Sequence, residues 1–285
     1  MAIKIVTDST ADLPKDLCET LGISTVPLNV QFGETSYLDG IDIQAEEFFS
    51  MLATSDKLPT TSQPSPGTFL DHYSSLIGNG DDIISIHVSG KLSQTVNSAE
   101  IAKAKIEDSK SSITVIDSQQ CSAGLGLIAI AAAKAAQAGA TLQETVAVAE
   151  EAISKIGIFI TLDTLEYLQK GGRIGKAQAL MGSLLQMKPI LTLLDGAIHP
   201  LEKTRTRTKA IQRMYTIAEE QQPFVSAAVV HSASKDAALG LEQHLGSLIK
   251  SLPQEEQGTV YTNSIGPVVG THGGPGVVGF AILRK

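Results

Sequence analysis

Hydroxyls, one imidazole and one guanidinium are the groups in this chain whose types and spacing can do chemistry. Thr61 and Ser62 stand in a stretch dense in hydroxyls and prolines, Lys57-Leu-Pro-Thr-Thr-Ser-Gln-Pro-Ser-Pro-Gly67, and Ser89 and Ser93 bracket a tight turn, Ser89-Gly-Lys-Leu-Ser93. As donors these four side chains can hold a carboxylate or a phosphate. The competing reading makes them helix caps and turn residues, the commoner use of Ser and Thr in loops. His272 lies in the glycine-rich segment Gly266-Pro-Val-Val-Gly-Thr-His-Gly-Gly-Pro-Gly276. There it either pairs with an anion as imidazolium or donates a single hydrogen bond when neutral. Arg173 follows the Gly171-Gly172 stop, and its planar fork suits a carboxylate or phosphate. The other histidines, His72, His87, His199, His231 and His244, read as structural or surface residues. The run Lys203-Thr-Arg205-Thr-Arg207-Thr-Lys209, with Arg213 beyond it, is a positive patch in an acidic chain; it is either a solvated face or a docking surface. No metal-ligand spacing, nucleophile elbow or triphosphate-binding loop is present, so no metal, no cofactor and no ATP turnover by the chain alone are expected.

These groups have to be brought to one place, and the sequence indicates which elements carry them. Ile83 to Val88 is a β-branched apolar run behind Asp81-Asp82, the pattern of a buried strand. Ser89-Gly90 ends it, Ser93 offers a cap, and helical spacing begins at Gln94. A strand feeding a glycine turn and a helix start presents free N–H groups above the sheet edge, a setting that favours an anion. Ile3 to Val6 forms another strand with Thr7-Asp8-Ser9-Thr10 at its carboxyl end, and Asp12 is placed to cap a helix that Gly22 terminates. A strand over 23–32, a loop over 33–40, a helix over 44–53 and a helix opened by Ser65-Pro66 follow. A strand over 112–117 and a helix over 121–137 come next, then a capping box from Thr141 to Glu144. Strands alternating with helices imply a mainly parallel sheet flanked by helices, with ligands outside the carboxyl ends of the strands. Asp8 to Thr10 and Ser89 to Ser93 therefore share one edge, which the Thr60–Ser62 loop can join.

The second half predicts a strand over 157–162, a short helix stopped by Gly171-Gly172, and a charge-poor helix over 177–187. The latter's Leu180, Met181, Leu184, Leu185 and Met187 can line a pocket. A hairpin about Asp195-Gly196 follows, then helix 208–221, strand 224–231, helix 236–252 and strand 258–265. The expected architecture is two α/β domains, 1–155 with a mainly parallel sheet and 156–285 with a mixed sheet and helices.

Composition removes several function classes. The 285 residues include no tryptophan and carry a net charge of −8, which argues against base stacking and against nonspecific nucleic-acid binding. Cys18 and Cys121 have no metal spacing and suit a reducing compartment. The first residues enter a strand directly, and the longest apolar stretch, Ala123 to Ala133, is too short to span a bilayer. A cytoplasmic protein without a membrane segment is expected.

Five segments together resemble the DegV family, in the family's order and across nearly the whole chain. They are Thr7-Asp-Ser-Thr-Ala-Asp-Leu-Pro14, Thr61-Ser-Gln-Pro-Ser65, the turn Ser89 to Ser93, Leu162 to Ile174 with Gly-Gly-Arg173 near its end, and the glycine-rich segment Gly266 to Gly276. Lys91 and Gln94 depart from the family's usual turn while leaving its hydroxyls in place. The resemblance implies a long-chain fatty acid buried between the domains. It also implies a FakB-type role, in which the carboxyl group is handed to a separate ATP-dependent fatty acid kinase to make an acyl phosphate for phospholipid synthesis. By motif position, Thr61, Ser62 and Ser93 would bind the carboxyl, with Arg173 and His272 nearby. Arg205, Arg207, Lys209 and Arg213 would then be the surface that meets the kinase. Two other readings compete: a serine-dependent acyl hydrolase or transferase using Ser93 or Ser89 with Lys91 or His272 as base, and a phosphosugar- or nucleotide-binding regulator using the same anion seat.

Overall fold

The computed structural model describes residues 2–77, 80–106, 111–183 and 187–285. In the first half the strands are β1 (Ile3–Asp8), β2 (Ile23–Val26), β3 (Asn29–Phe32), β4 (Thr35–Leu38), β5 (Thr60–Ser62), β6 (Asp82–His87) and β7 (Ile113–Asp117). The helices there are α1 (Lys15–Leu21), α2 (Ala45–Thr54), α3 (Pro66–Ile77), α4 (Thr95–Lys103), α5 (Ser122–Gln137) and α6 (Leu142–Lys155). The second half supplies β8 (Ile156–Thr161), β9 (Lys188–Leu194), β10 (Ala197–Thr204), β11 (Phe224–His231), β12 (Val260–Ser264) and β13 (Val278–Arg284). Its helices are α7 (Glu166–Lys170), α8 (Arg207–Glu220), α9 (Lys235–Lys250) and α10 (Pro267–Gly273).

Three sheets result: a four-stranded sheet in the order β2-β1-β6-β7, a three-stranded sheet β4-β3-β5, and a six-stranded sheet β10-β9-β8-β13-β11-β12. All pairs in the four-stranded sheet are parallel. The six-stranded sheet is mixed, with β11 and β12 parallel and its other pairs antiparallel. The chain thus forms two α/β domains, one on a parallel sheet and one on a mixed sheet, each flanked by helices.

Helix α5 joins them. Its residues from Ser122 to Ile130 are all buried, and it packs against β1 on one side and against β8, β11 and β13 on the other. A helix enclosed between two sheets has no polar face, and close approach requires small side chains. A methyl group on Gly126 would sit 2.5 Å from the Tyr261 hydroxyl and 2.9 Å from the Ala11 carbonyl. The alanine-rich composition of this helix is thus a packing requirement. One core cluster runs through it, from Ile5 and Ile84 to Ile158, Leu191 and Ala281. No helix among the described residues is long and apolar enough to cross a membrane.

Several expectations change. The single strand over 23–32 is two strands in different sheets, because Pro27 lies between them and offers no N–H to a ladder. The loop over 33–40 contains β4, and the Thr60–Ser62 loop is β5, whose Thr61 pairs with Val30. Asp12 does not cap α1, which begins at Lys15 after Pro14 without a side-chain cap. The helix over 177–187 is a 3-10 segment, Gly175–Ser183. Leu180 is buried in the core and Met181 packs against it, while Leu184 and Leu185 lie outside the described residues. The glycine-rich segment hides α10, started by Pro267 at its first turn and ended at Gly274 with φ 72°. The run after it is β13, which lies between β8 and β11.

The hairpin and the capping box form as expected. Asp195 and Gly196 both have positive φ, 49° and 76°, as a two-residue turn of this hand requires. Thr141 accepts from the Glu144 N–H while the Glu144 carboxylate accepts from the Thr141 N–H.

Candidate functional site

A cavity lies between the two domains. Much of its wall is apolar: Ile160, Leu191, Leu193 and Val230 from the six-stranded sheet, and Val268 and Val269 from α10. Its polar groups come from separate elements. β5 supplies Thr61 and Ser62, the turn after β6 supplies Ser93, the segment after α7 supplies Arg173, and α10 supplies His272. All five sequence candidates for an anion seat therefore reach one cavity.

The contacts give each a role. Thr61 Oγ1 and His272 Nε2 are 2.8 Å apart, a hydrogen bond between the two domains. Burial, helped by the Arg173 charge, holds the His272 imidazole down at about 4, so near neutral pH it is a neutral hydrogen-bonding group. Its Nδ1 has no partner among the described residues and sits where a side chain on residue 171 would have to go, so Gly171 is what lets the ring in. Arg173 donates from Nε to the Leu92 carbonyl at 3.1 Å and from a terminal nitrogen to the Gly171 carbonyl at 2.7 Å. It thereby ties the Ser89–Ser93 turn to the second domain and sets a positive charge at the cavity wall.

Ser93 is not a cap. α4 starts at Thr95 behind Gln94, with no side-chain capping bond, and the Ser93 hydroxyl pairs with Thr95 Oγ1 at 2.9 Å. Ser89 serves the domain interface instead. Its hydroxyl is buried and donates to the Gly196 carbonyl at 2.7 Å, pinning the hairpin tip of the second domain to the turn. The His272 ring is paired with Thr61 and with neither of these serines.

Sequence reasoning did not foresee the buried network beneath this edge. Asp8 Oδ1 accepts from the N–H and hydroxyl of Thr10 at 3.1 and 2.5 Å. Asp8 Oδ2 accepts from the Val88 N–H at 2.9 Å and from His87 Nδ1 at 3.0 Å. On its other side His87 Nε2 is 2.6 Å from Ser85 Oγ, which accepts from Tyr73 at 2.7 Å. The order Asp-His-Ser resembles a hydrolytic triad, but Ser85 and His87 are fully buried and Tyr73 closes the far end. The network fixes Thr10 and Val88, both of which line the cavity. The signal for it was the Thr7-Asp8-Ser9-Thr10 cluster at the end of β1.

Asp12 and Asp39 are buried beside it. Asp12 accepts from the Ser122 hydroxyl and, at 2.7 Å, from the Gly266 N–H. Burial lifts Asp12 to about 8 and Asp39 to about 7 from an ordinary value of 3.8. The folded chain keeps these protons where the unfolded chain has shed them, so both groups make stability fall as pH rises from about 4 toward 8. His72, His231 and His272 are lowered by burial and act oppositely, but only below their ordinary value of 6.5. Between pH 6.5 and 8 the two carboxyls outweigh these histidines. Urea denaturation is expected to show stability falling by about 2 kcal/mol over that interval, with Asp12→Asn removing most of the slope. A flat profile in the parent chain contradicts this assignment.

The basic run divides in two. Arg207 donates to the Gly276 carbonyl at 2.6 Å and to Ser234 Oγ at 2.7 Å, and meets Asp163 at 3.3 Å. Arg213 is held by Glu202 and Glu220, each at 2.7 Å. Arg205 and Lys209 are exposed. Among the described residues no group of three or more His, Cys, Asp or Glu is gathered closely enough to hold a metal ion.

Comparison with known proteins agrees over the full length. Residues 2–285 match a family described as uncharacterised proteins of the DegV family. A DegV domain-containing protein of Streptomyces coelicolor is 38% identical over 286 residues, covering 99% of each chain. The structure of a DegV family protein from Thermus thermophilus, described for its fatty acid binding, superposes with a TM-score of 0.91 at 35% identity over 100% of both chains. A stearic acid-binding protein from Eubacterium ventriosum superposes with a TM-score of 0.88 at 29% identity, over 99% of this chain and 98% of that one. On sequence and fold together, this chain belongs to the DegV family.

Proposed function

We propose that this chain binds a long-chain fatty acid in the interdomain cavity and presents its carboxyl group to a separate ATP-dependent kinase, which forms an acyl phosphate for phospholipid synthesis. The observation that carries this reading is the make-up of the cavity. Apolar walls meet Thr61, Ser62, Ser93, His272 and Arg173 from both domains, as a molecule with a charged head and an apolar tail requires. About fifteen methylenes can contribute roughly 12 kcal/mol before association costs, so binding needs no metal or other cofactor. The fatty acid and stearic acid named for the two structural relatives support the same ligand class.

In this reading the chain is a cytoplasmic lipid-binding subunit and not a catalyst, with the ligand between domains 1–155 and 156–285. A serine-dependent hydrolase is the weaker alternative, because Ser93 pairs with Thr95 and Ser89 with the Gly196 carbonyl. Denaturing mass spectrometry of an organic extract of the purified protein distinguishes them. Free fatty acid at near-unit occupancy supports the carrier; an acyl adduct on serine supports the hydrolase.

The kinase must reach the carboxyl, and the basic run from Lys203 to Arg213 is our candidate for its docking site. Arg205 and Lys209 offer the steering charge, since Arg207 and Arg213 are already spent on partners within the chain. Reversing Arg205 and Lys209 to Glu is expected to slow association with the kinase about tenfold and to weaken its salt dependence. Surface plasmon resonance at two ionic strengths measures both. Unchanged association at both strengths removes these residues from the docking surface.

A further inference from the structure

The cavity has polar groups beyond those of its anion seat. Thr10 and Ser122 line it as well, with Cys121 beside them. These three lie at the carboxyl edge of the parallel sheet, where β1 ends and α5 begins. Thr10 is 3% and Ser122 2% exposed, so both hydroxyls are sealed from bulk water. Burial keeps the Cys121 thiol neutral, pushed up to about 12.

Hydrogen bonding fixes what these hydroxyls offer. The Thr10 proton is committed to Asp8, leaving the oxygen as an acceptor. Ser122 donates to Asp12 when that carboxyl is ionised. When Asp12 keeps its proton the acid donates instead, and the serine proton is free. The positive charge of the cavity stands elsewhere, at Arg173, so a ligand carboxylate is drawn there and not to this patch. A plain methylene chain makes no hydrogen bond here, whereas an alcohol both donates and accepts and satisfies either state of Ser122.

Helix α10 gives the spacing. Its first end, at Gly266, is tied to the Asp12–Ser122 pair, and His272 near its other end meets Thr61. Six helical steps separate them, about 9 Å. An extended acyl chain covers that distance in roughly seven carbon–carbon bonds, which falls near the middle of a long fatty acid.

We propose that Thr10 and Ser122 form a second polar seat that selects acyl chains bearing a mid-chain hydroxyl. This rests on the fatty-acid reading of the same cavity. The test is displacement of a fluorescent fatty acid from delipidated full-length protein by stearate, mid-chain hydroxystearates and β-hydroxystearate. At least one mid-chain isomer is expected to bind about fivefold to tenfold more tightly than stearate, while the β-isomer gains nothing. Ser122→Ala and Thr10→Val should each bring that ratio toward one. Mid-chain isomers that bind no better than stearate overturn the proposal, as does a preference that survives both substitutions. The parent chain alone decides the matter should either variant fail to fold. Failure of stearate itself to bind overturns the carrier reading, and the second seat falls with it.

Discussion

Replacing Asp8 with alanine is expected to cost about 4 kcal/mol of stability, the largest effect anticipated for any single polar residue in this chain. The carboxyl serves four donors at once: the Thr10 N–H and hydroxyl, the Val88 N–H and the His87 ring. All are buried, and each orphaned buried donor carries a desolvation penalty of about 1–3 kcal/mol. Relaxation and entering water recover part of the sum. Asp8→Asn preserves shape but turns an amide NH₂ toward groups that need an acceptor, so it should fall between alanine and the parent. Urea denaturation followed by far-UV circular dichroism gives the difference. A loss below about 1 kcal/mol for Asp8→Ala would mean that these donors find other partners, and that Asp8 does not hold Thr10 and Val88 in the cavity wall.

Thr61→Ala and Ser93→Ala are expected to weaken fatty-acid affinity by about tenfold to a hundredfold each, the loss of a hydrogen bond to a charged group. Thr61 should show the larger effect, because its removal also frees the His272 ring that it pairs with. Ser89→Ala provides the contrast. Its hydroxyl serves the Gly196 carbonyl, so it is expected to lower stability by about 1 kcal/mol. Titration of delipidated protein with a fluorescent fatty acid, alongside denaturation, separates the two outcomes. Parent-like affinity in both Thr61→Ala and Ser93→Ala, with both proteins folded, would remove the carboxyl seat from these hydroxyls.

Local pattern determined much of the architecture. β-branched runs gave β6, β7 and β11, the Asp195-Gly196 pair gave the hairpin, and Thr141 with Glu144 gave the start of α6, because each depends on residues within one turn or one strand. The motif order also pointed to Thr61, Ser62, Ser93, Arg173 and His272, and the cavity gathers all five. What the sequence left open was decided by partners far along the chain. Ser93 carried the signature of a cap, yet α4 starts two residues later, at Thr95, and the Ser93 hydroxyl pairs with Thr95 Oγ1 at the cavity wall. Ser89 read as part of the turn that ends β6, and its hydroxyl is used on a carbonyl 107 residues away. Thr60 to Ser62 has the composition of a loop and becomes a strand only because β3 is there to pair with it. Asp12 has the spacing of a helix cap, but its carboxyl is claimed by Ser122 and Gly266, 110 and 254 residues on. A hydroxyl or carboxyl has few hydrogen bonds to give, and the neighbour that receives them is chosen by tertiary packing. The sequence could therefore name five polar residues of this cavity, while only the fold added Thr10 and Ser122 and decided which hydroxyls hold the walls.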